Sequence, residues 1–380
     1  MDKINLNCTV MKKCNGCQLN NLDYKSQLNY KQNQIRKYIS PLCKANKIIG
    51  MEHPFSYRNK AQVVFKINSD KTYSAGIYKS TTKSIVPVNN CKLQTTEQNE
   101  IIKVLESLLK SFKIKPYDFY KKTGWLKSVV IRQGFTSKEI MVNLIGGNNI
   151  FPAKNTFISA LLQKCPYITT IVASVNELDI LNMGNVFSVL YGKGYITDKI
   201  LEKEFIISSN SFFQINPLQT QILYQKAIEL ANITKNDIVL DAYCGVGTIG
   251  ILSSDKAKSV YAVEINENAI HDANKNKEIN NINNIEFICS DIKNQLSLLK
   301  SVDIVFIDPP RFGCDKKVIE LLTEEIKPKK IVYISCNIKT QARDIKIFKS
   351  KNYKPIICQP VDMFPHTSHI ESIVFIERCS

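Results

Sequence analysis

Cys336 stands in Ser335-Cys336-Asn337, where the apolar run Ile331-Val332-Tyr333-Ile334 stops. Twenty-eight residues earlier a second apolar run ends in Asp308-Pro309-Pro310-Arg311. Strand ends are where α/β enzymes gather their reactive groups, so a thiol there is a candidate nucleophile. An ordinary thiol, with a pKa of about 8.5, is only a few per cent thiolate at neutral pH, yet it is the strongest nucleophile a side chain offers. Carbon 5 of a pyrimidine is too electron-poor to take a methyl cation directly and needs such a group. Thiolate addition at C6 makes an enolate with electron density at C5, and C5 then attacks the methyl donor. A base must remove the C5 proton before the cysteine is expelled. A lone cysteine is more often simply buried, so the case for Cys336 rests on its company. Glu371, in His366-Thr367-Ser368-His369-Ile370-Glu371 at the entry to the last strand, is the candidate base. Burial there raises a carboxyl pKa towards neutrality.

A methyl donor needs its own site. Asp241-Ala242-Tyr243-Cys244-Gly245-Val246-Gly247-Thr248-Ile249-Gly250 closes a predicted strand with glycines at G-x-G-x-x-G spacing. That spacing is weak on its own, because it fits both NAD and S-adenosylmethionine. NAD uses the turn for its pyrophosphate, whereas S-adenosylmethionine has none and is met by an acid before the turn, near its ammonium group. Asp241, four residues before Gly245, favours the second ligand, with Gly245 and Thr248 in the turn itself. Glu264 ends the next strand, 23 residues after Asp241, where a carboxylate accepts both ribose hydroxyls. Asp291, at the end of the third strand, is placed to meet the adenine. Asp-Pro-Pro followed by an aromatic typifies enzymes that methylate amino groups of bases. Here Arg311 takes the aromatic's place, which argues against amino methylation.

These residues need a sheet to hold them. Asn216-Pro217 predicts a helix start, with Asn as cap and Pro in the first turn. Strands are predicted at Asp237–Asp241, Val260–Glu264, Ile285–Ser290, Asp303–Asp308 and Lys330–Ser335, mostly separated by helical stretches. That alternation argues for an α/β, mostly parallel, doubly wound sheet. Runs near Ile356-Ile357 and Ile370–Ile376 predict an antiparallel finish. Residues 1–205 read differently: a cysteine-bearing start, a helical stretch from Tyr24 to Ile39, then short strand-like runs at 61–67, 128–132, 140–145 and 171–175 that predict a β-rich domain. Residues 206–380 form the catalytic domain in this division.

The chain has 51 Lys+Arg against 34 Asp+Glu, a net charge of +17, which favours a polyanion, nucleic acid being the commonest. No signal peptide or membrane-length apolar stretch is visible, so a cytoplasmic location is the expectation. Twelve cysteines in such a chain do not read as a disulfide scaffold. Cys8, Cys14 and Cys17 are spaced C-x5-C-x2-C, and Cys91 is a fourth candidate ligand. The spacing leaves an iron–sulfur cluster, zinc or no metal open; one close pair suits a cubane better than a zinc ribbon.

Five motifs in order, Ser211-Phe212-Phe213-Gln214-Ile215-Asn216-Pro217, the turn from Asp241 to Thr248, Asp308–Arg311, Ser335-Cys336-Asn337 and Met363–Glu371, resemble those of the RNA uracil-C5 methyltransferases. The resemblance implies a Rossmann-like S-adenosylmethionine-dependent domain with Cys336 as nucleophile and Glu371 as base. It adds Gln214, Tyr243, Glu264 and Asp308 as contacts to S-adenosylmethionine. It extends to Pro54–Lys60 and Gly76-Ile77-Tyr78, and it implies that Cys8, Cys14, Cys17 and Cys91 hold a [4Fe–4S] cluster. Relatives with this cysteine arrangement mostly modify ribosomal RNA, so the implied partner is 23S rRNA before or during ribosome assembly. The implied product is 5-methyluridine, made by a monomer with no membrane attachment. Transfer RNA is the alternative substrate, and a non-catalytic iron–sulfur or zinc RNA-binding protein is the alternative of another class. Many relatives open with a small RNA-binding TRAM barrel; with the first cysteine at residue 8, that barrel is expected to be absent here. RNA is then expected to be gripped by the first half and the sheet mouth, with Arg58, Lys60 and Arg132 as candidate contacts and Phe55 or Tyr57 as candidate stacking partners.

Overall fold

The structure, a computed structural model, describes residues 8–11, 13–14, 16–79, 84–118, 120–177, 184–299 and 301–379. The chain opens with helix α1 (Tyr24–Tyr38) and a two-residue strand β1 (Lys44–Ala45). Next come β2 (Lys60–Ile67), β3 (Tyr73–Tyr78), β4 (Ile85–Pro87), α2 (Thr96–Ser111), β5 (Leu126–Gln133) and β6 (Ile140–Gly146). Helix α3 (Lys154–Lys164), β7 (Thr170–Val175) and β8 (Asn185–Tyr191) follow, and a hairpin of β9 (Tyr195–Ile200) and β10 (Lys203–Ser208) ends the first half. The second half runs α4 (Pro217–Ala231), β11 (Ile238–Asp241), α5 (Thr248–Ser254), β12 (Ser259–Glu264), α6 (Glu267–Ile279), β13 (Ile285–Cys289) and α7 (Ile292–Leu296). It closes with β14 (Ile304–Ile307), α8 (Lys316–Leu321), β15 (Lys330–Ser335), α9 (Ile338–Ser350), β16 (Tyr353–Val361) and β17 (Glu371–Arg378).

An eight-stranded sheet in the order β1-β16-β17-β15-β14-β11-β12-β13 carries the expected motifs. Strands β11 to β15 pair in parallel, and β17 runs antiparallel to both β15 and β16. Parallel strands are covered by helices on both faces and read as unbroken apolar runs. Ile304-Val305-Phe306-Ile307 is such a run, with every residue buried. Its side chains alternate between two cores: Ile304 and Phe306 pack with Leu223 and Ala227 of α4, and Val305 and Ile307 pack with Val318 and Phe348. Helix α4 begins as its sequence requires, with the Asn216 side chain accepting from Gln219 N and Pro217 in the first turn.

A seven-stranded sheet in the order β4-β3-β2-β5-β6-β7-β8 fills the first half. It is antiparallel except for β6 and β7, which helix α3 links in parallel. One face rests on α2 and α3 through Ile101, Leu105, Phe157 and Leu161. The start of the chain departs from a boundary at 205. Ile35 of α1 and the adjoining Ile39 enter the core of the catalytic half, and β1 pairs with β16 through Lys44–Ile357 and Ala45–Cys358. Among the described residues, no helix is long and apolar enough to cross a membrane.

Candidate active site at the carboxyl ends of the parallel strands

The turn after β11 is set by two glycines and an acid. Gly245 and Gly247 have φ of +53° and +82°, a region side chains rarely enter. Around a Cβ at Gly245 the structure leaves open space, so a ligand can approach the backbone there. Asp241 is fully buried: its Oδ2 accepts from Gly250 N at 2.8 Å, while its Oδ1 has no partner. It lies behind the wall of the cavity that the turn opens on rather than lining it.

That cavity has a volume of about 900 Å³ and joins the strand ends. Gln214, Tyr243, Gly245, Thr248, Glu264, Asp291, Asp308, Cys336 and Glu371 all line it, so sequence positions from 214 to 371 meet in one space. Glu264 accepts from Gly245 N at 3.2 Å and Asn266 N at 2.9 Å, which fixes its carboxylate at the rim of the turn. Asp291 caps α7 through Lys293 N. The Gln214 backbone carbonyl accepts from Asn59 Nδ2 at 2.9 Å, which ties this segment to the first half.

The ladder brings the two proposed reactive groups together. Ser335 of β15 pairs with Ser372 of β17. Cys336, just past the end of β15, and Glu371, the first residue of β17, line the same cavity. Opposed residues in antiparallel strands lie within about 4.5–5.5 Å at Cα.

The electrostatics of this space are acidic. Burial pushes Asp308 up to about 7. Burial, opposed by the Gly250 N–H and reinforced by Asp308 and Glu264, pushes Asp241 up to about 7. Burial and then Asp308 hold Glu371 well above the usual carboxylate range, with Arg311 opposing. Cys336 is pushed up to about 11 by burial first and then by Glu371 and Asp308, against Arg311. The resting thiol is therefore more fully protonated than an ordinary cysteine would be, because it is buried and, in second place, because its neighbours are acids. A cavity of carboxyl groups in a chain of net charge +17 suits a cationic ligand and disfavours a pyrophosphate.

One group at the site carries no sequence signal. Tyr224 lines the cavity from α4, and Asp308, Glu371 and Asp241 all act on its hydroxyl; it is a buried tyrosine on a helix whose pattern reads as core. Phe364 also lines the cavity, and Phe212 and Phe312 stand largely exposed at its mouth. The expected RNA contacts are placed unevenly. Arg132 is buried and donates to Ser209 O and Ser211 O, so it braces the segment leading to Gln214 and does not reach the surface. Lys60 is half-buried beside it and is pushed down to about 8 by burial and by Arg132. Tyr57 is fully buried, and Phe55 stacks on His366 with ring centroids 5.1 Å apart.

At the front of the chain, Cys8, Cys17 and Cys91 pack round the small core of Tyr24, Met51, Tyr57 and Leu93. Cys17 feels Arg58, Cys91, Cys14 and Cys8, so the four cysteines share one locality with Arg58 beside them. Burial raises Cys14 and pushes Cys17 up to about 12. Among the described residues, no group of three or more His, Cys, Asp or Glu side chains has the geometry to hold a metal ion. Four thiols are a donor set of the kind that zinc or an iron–sulfur cluster takes.

The tRNA (uracil-5-)-methyltransferase family matches residues 23–379. An uncharacterized RNA methyltransferase of Caldanaerobacter subterraneus subsp. tengcongensis is 38% identical over 99% of this chain and 85% of its own. One of Staphylococcus aureus strain MRSA252 is 38% identical over 96% of this chain and 83% of its own. Among solved structures, the Pyrococcus abyssi tRNA (uracil-54, C5)-methyltransferase in complex with S-adenosyl-L-homocysteine superposes with a TM-score of 0.81. It is 30% identical and covers 96% of this chain and 86% of its own. With a match over nearly the whole length and a cavity that gathers the motif residues, the chain belongs to the tRNA (uracil-5-)-methyltransferase family.

Proposed function

We propose that the protein methylates C5 of a uridine in RNA with S-adenosylmethionine as donor, and that the RNA is 23S rRNA. The observation that carries this reading is the meeting of Cys336 and Glu371 in one acid-lined cavity. S-adenosylmethionine supplies an electrophilic methyl on a cationic sulfur. Glu264 is the ribose partner, Asp291 faces the adenine, and Gln214, Tyr243, Asp308, Gly245 and Thr248 complete the donor site, with the orphaned Asp241 oxygen behind it. The Cys336 thiolate adds to C6 of the uracil; C5 of the resulting enolate takes the methyl as the sulfur–methyl bond breaks, and the sulfur keeps that electron pair as S-adenosylhomocysteine. Glu371 then takes the C5 proton. The electrons of the C–H bond re-form the C5–C6 double bond, and the bond from C6 to sulfur breaks to return the thiolate. The target base must leave its stack to reach both groups.

RNA carrying 5-fluorouridine at the target tests the chemistry, because fluorine cannot leave as a proton does. A covalent adduct that forms with S-adenosylmethionine and vanishes in Cys336→Ala is expected; an adduct surviving that substitution ends the proposal. Fragments of 23S rRNA and tRNA transcripts, offered in parallel, decide the substrate. The charge and the family are compatible with both, and adduct formation on tRNA alone would transfer the reading to tRNA.

Two outcomes follow for the ligand sites. Glu264→Ala removes a charged acceptor, and S-adenosylhomocysteine affinity by calorimetry is expected to fall about 10- to 100-fold, the equivalent of roughly 1.5–3 kcal/mol. An unchanged affinity would remove Glu264 from the donor site. We also propose that Cys8, Cys14, Cys17 and Cys91 hold a [4Fe–4S] cluster: the thiols share a locality, and metal binding releases protons from thiols and draws them together. Anaerobically purified protein should carry about four irons and four sulfides per chain, lost in Cys17→Ala. Zinc without iron would overturn the assignment.

A further inference from the structure

The loop from Asp362 to Ile370 carries Phe364 into the cavity wall and delivers Glu371 to the start of β17. Its backbone is held almost residue by residue, chiefly from the start of the chain. Lys31 Nζ bonds Asp362 Oδ1 at 2.5 Å and donates to Phe364 O at 3.0 Å. Tyr24 donates to the other Asp362 oxygen at 2.9 Å. Tyr57 donates to Pro365 O at 3.0 Å, Leu19 N to His366 O at 3.0 Å, and Ser368 N donates back to Gln18 Oε1 at 3.3 Å. His366 N donates to Gln27 Oε1 at 2.8 Å, and its ring spans Gln27 Nε2 and Pro54 O.

Two features argue that this contact set fixes geometry rather than adding stability. Lys31 and Asp362 have fully buried side chains, and a buried ion pair is often replaceable by apolar residues without loss of stability. His366 sits at φ +68°, a strained backbone that persists only where its surroundings over-determine it.

We infer that the stretch from Gln18 to Tyr57 is a clamp on the loop before Glu371, with Lys31 as the positioning residue that sets where Glu371 and Phe364 enter the cavity. The inference rests on the reading of Glu371 as the base. Because Gln18 follows Cys17 directly, the clamp also ties the cysteine locality to the proton-removal half of the reaction.

The test separates the two halves. Lys31→Met with Asp362→Asn removes the bond to Phe364 O without leaving a lone buried charge. Adduct formation on 5-fluorouridine RNA reports addition and methyl transfer, and release of methylated product from ordinary RNA reports the base step. Adduct formation within about threefold of wild type and release slowed about 10²-fold are expected, the scale of a misplacement near 1 Å. Unchanged release, or an equal fall in both rates, would overturn the clamp. Tyr57→Phe, which deletes only the hydroxyl on Pro365 O, is expected to shift the same ratio about tenfold and carries the test if the double variant does not fold. Absence of adduct in the wild-type protein would instead overturn the proposed chemistry on which the clamp rests.

Discussion

Cys336→Ala is expected to abolish methyl transfer, with single-turnover rates lower by roughly four orders of magnitude or more, while S-adenosylhomocysteine affinity stays near wild type. The size of the effect follows from the chemistry: without addition at C6, C5 has no electron density to offer, and no neighbouring group can replace a covalent bond. Cys336 lies between the end of β15 and the first turn of α9, and Asn337 caps that helix by accepting from Lys339 N. The substitution therefore leaves strand and cap intact, so a loss of activity without a loss of ligand affinity or thermal stability isolates the nucleophile. The wild-type rate should also depend on pH with a definite sign. Thiolate is the reactive form, and Cys336 is pushed up to about 11 by burial, Glu371 and Asp308. The rate then rises with pH across the neutral range and shows no plateau near the ordinary thiol value. A flat profile over that range, with chemistry rate-limiting, would mean that the bound donor lowers the thiol far more than burial and the acids raise it. Residual methylation by the alanine variant near the wild-type rate would exclude the covalent route.

Much of this site was legible along the chain because each part ends a local pattern. Apolar runs stopping at Asp241, Glu264, Asp308 and Ser335 are strand ends by periodicity alone, and parallel pairing then lines those ends up on one edge. The Asn216 cap and Pro217 declare α4 in the same way. What stayed hidden depends on distant pairing. Two residues, Lys44 and Ala45, form an edge strand only because β16, more than 300 positions later, offers a partner. Lys31 reads as one more lysine in the helical stretch from Tyr24 to Ile39, and only the fold shows it buried against Asp362. Arg132 misleads in the same sense. Charged residues are rarely buried without partners, but its partners are the carbonyls of Ser209 and Ser211, which no local pattern brings near. The acidity of the cavity was half legible. Each carboxylate was visible, yet the mutual effect of Asp308, Glu371 and Asp241 needs their burial in one place.

Glu371→Gln is expected to let the first half of the reaction proceed and to stall the second. Glutamine keeps the shape and one acceptor, so C6 addition and methyl transfer continue, but it cannot take the C5 proton. Methylated RNA then remains bonded to Cys336, and a denaturation-resistant protein–RNA species appears with ordinary uridine, where wild type shows it only with 5-fluorouridine. Release should fall by about 10²- to 10⁴-fold, the usual span for a positioned general base. The surroundings bear on the size. Burial and Asp308 hold Glu371 above the usual range, which makes its carboxylate a stronger base once ionised but leaves less of it ionised at low pH. Product release in wild type should accordingly slow as pH falls through that raised value, and the glutamine variant should lose this limb. Asp308→Asn removes a like charge from beside Glu371, so the limb should move to lower pH even where donor binding suffers. Free product at the normal rate from Glu371→Gln would pass the proton to another group, and Tyr224, whose hydroxyl feels both Asp308 and Glu371, would be the next residue to replace.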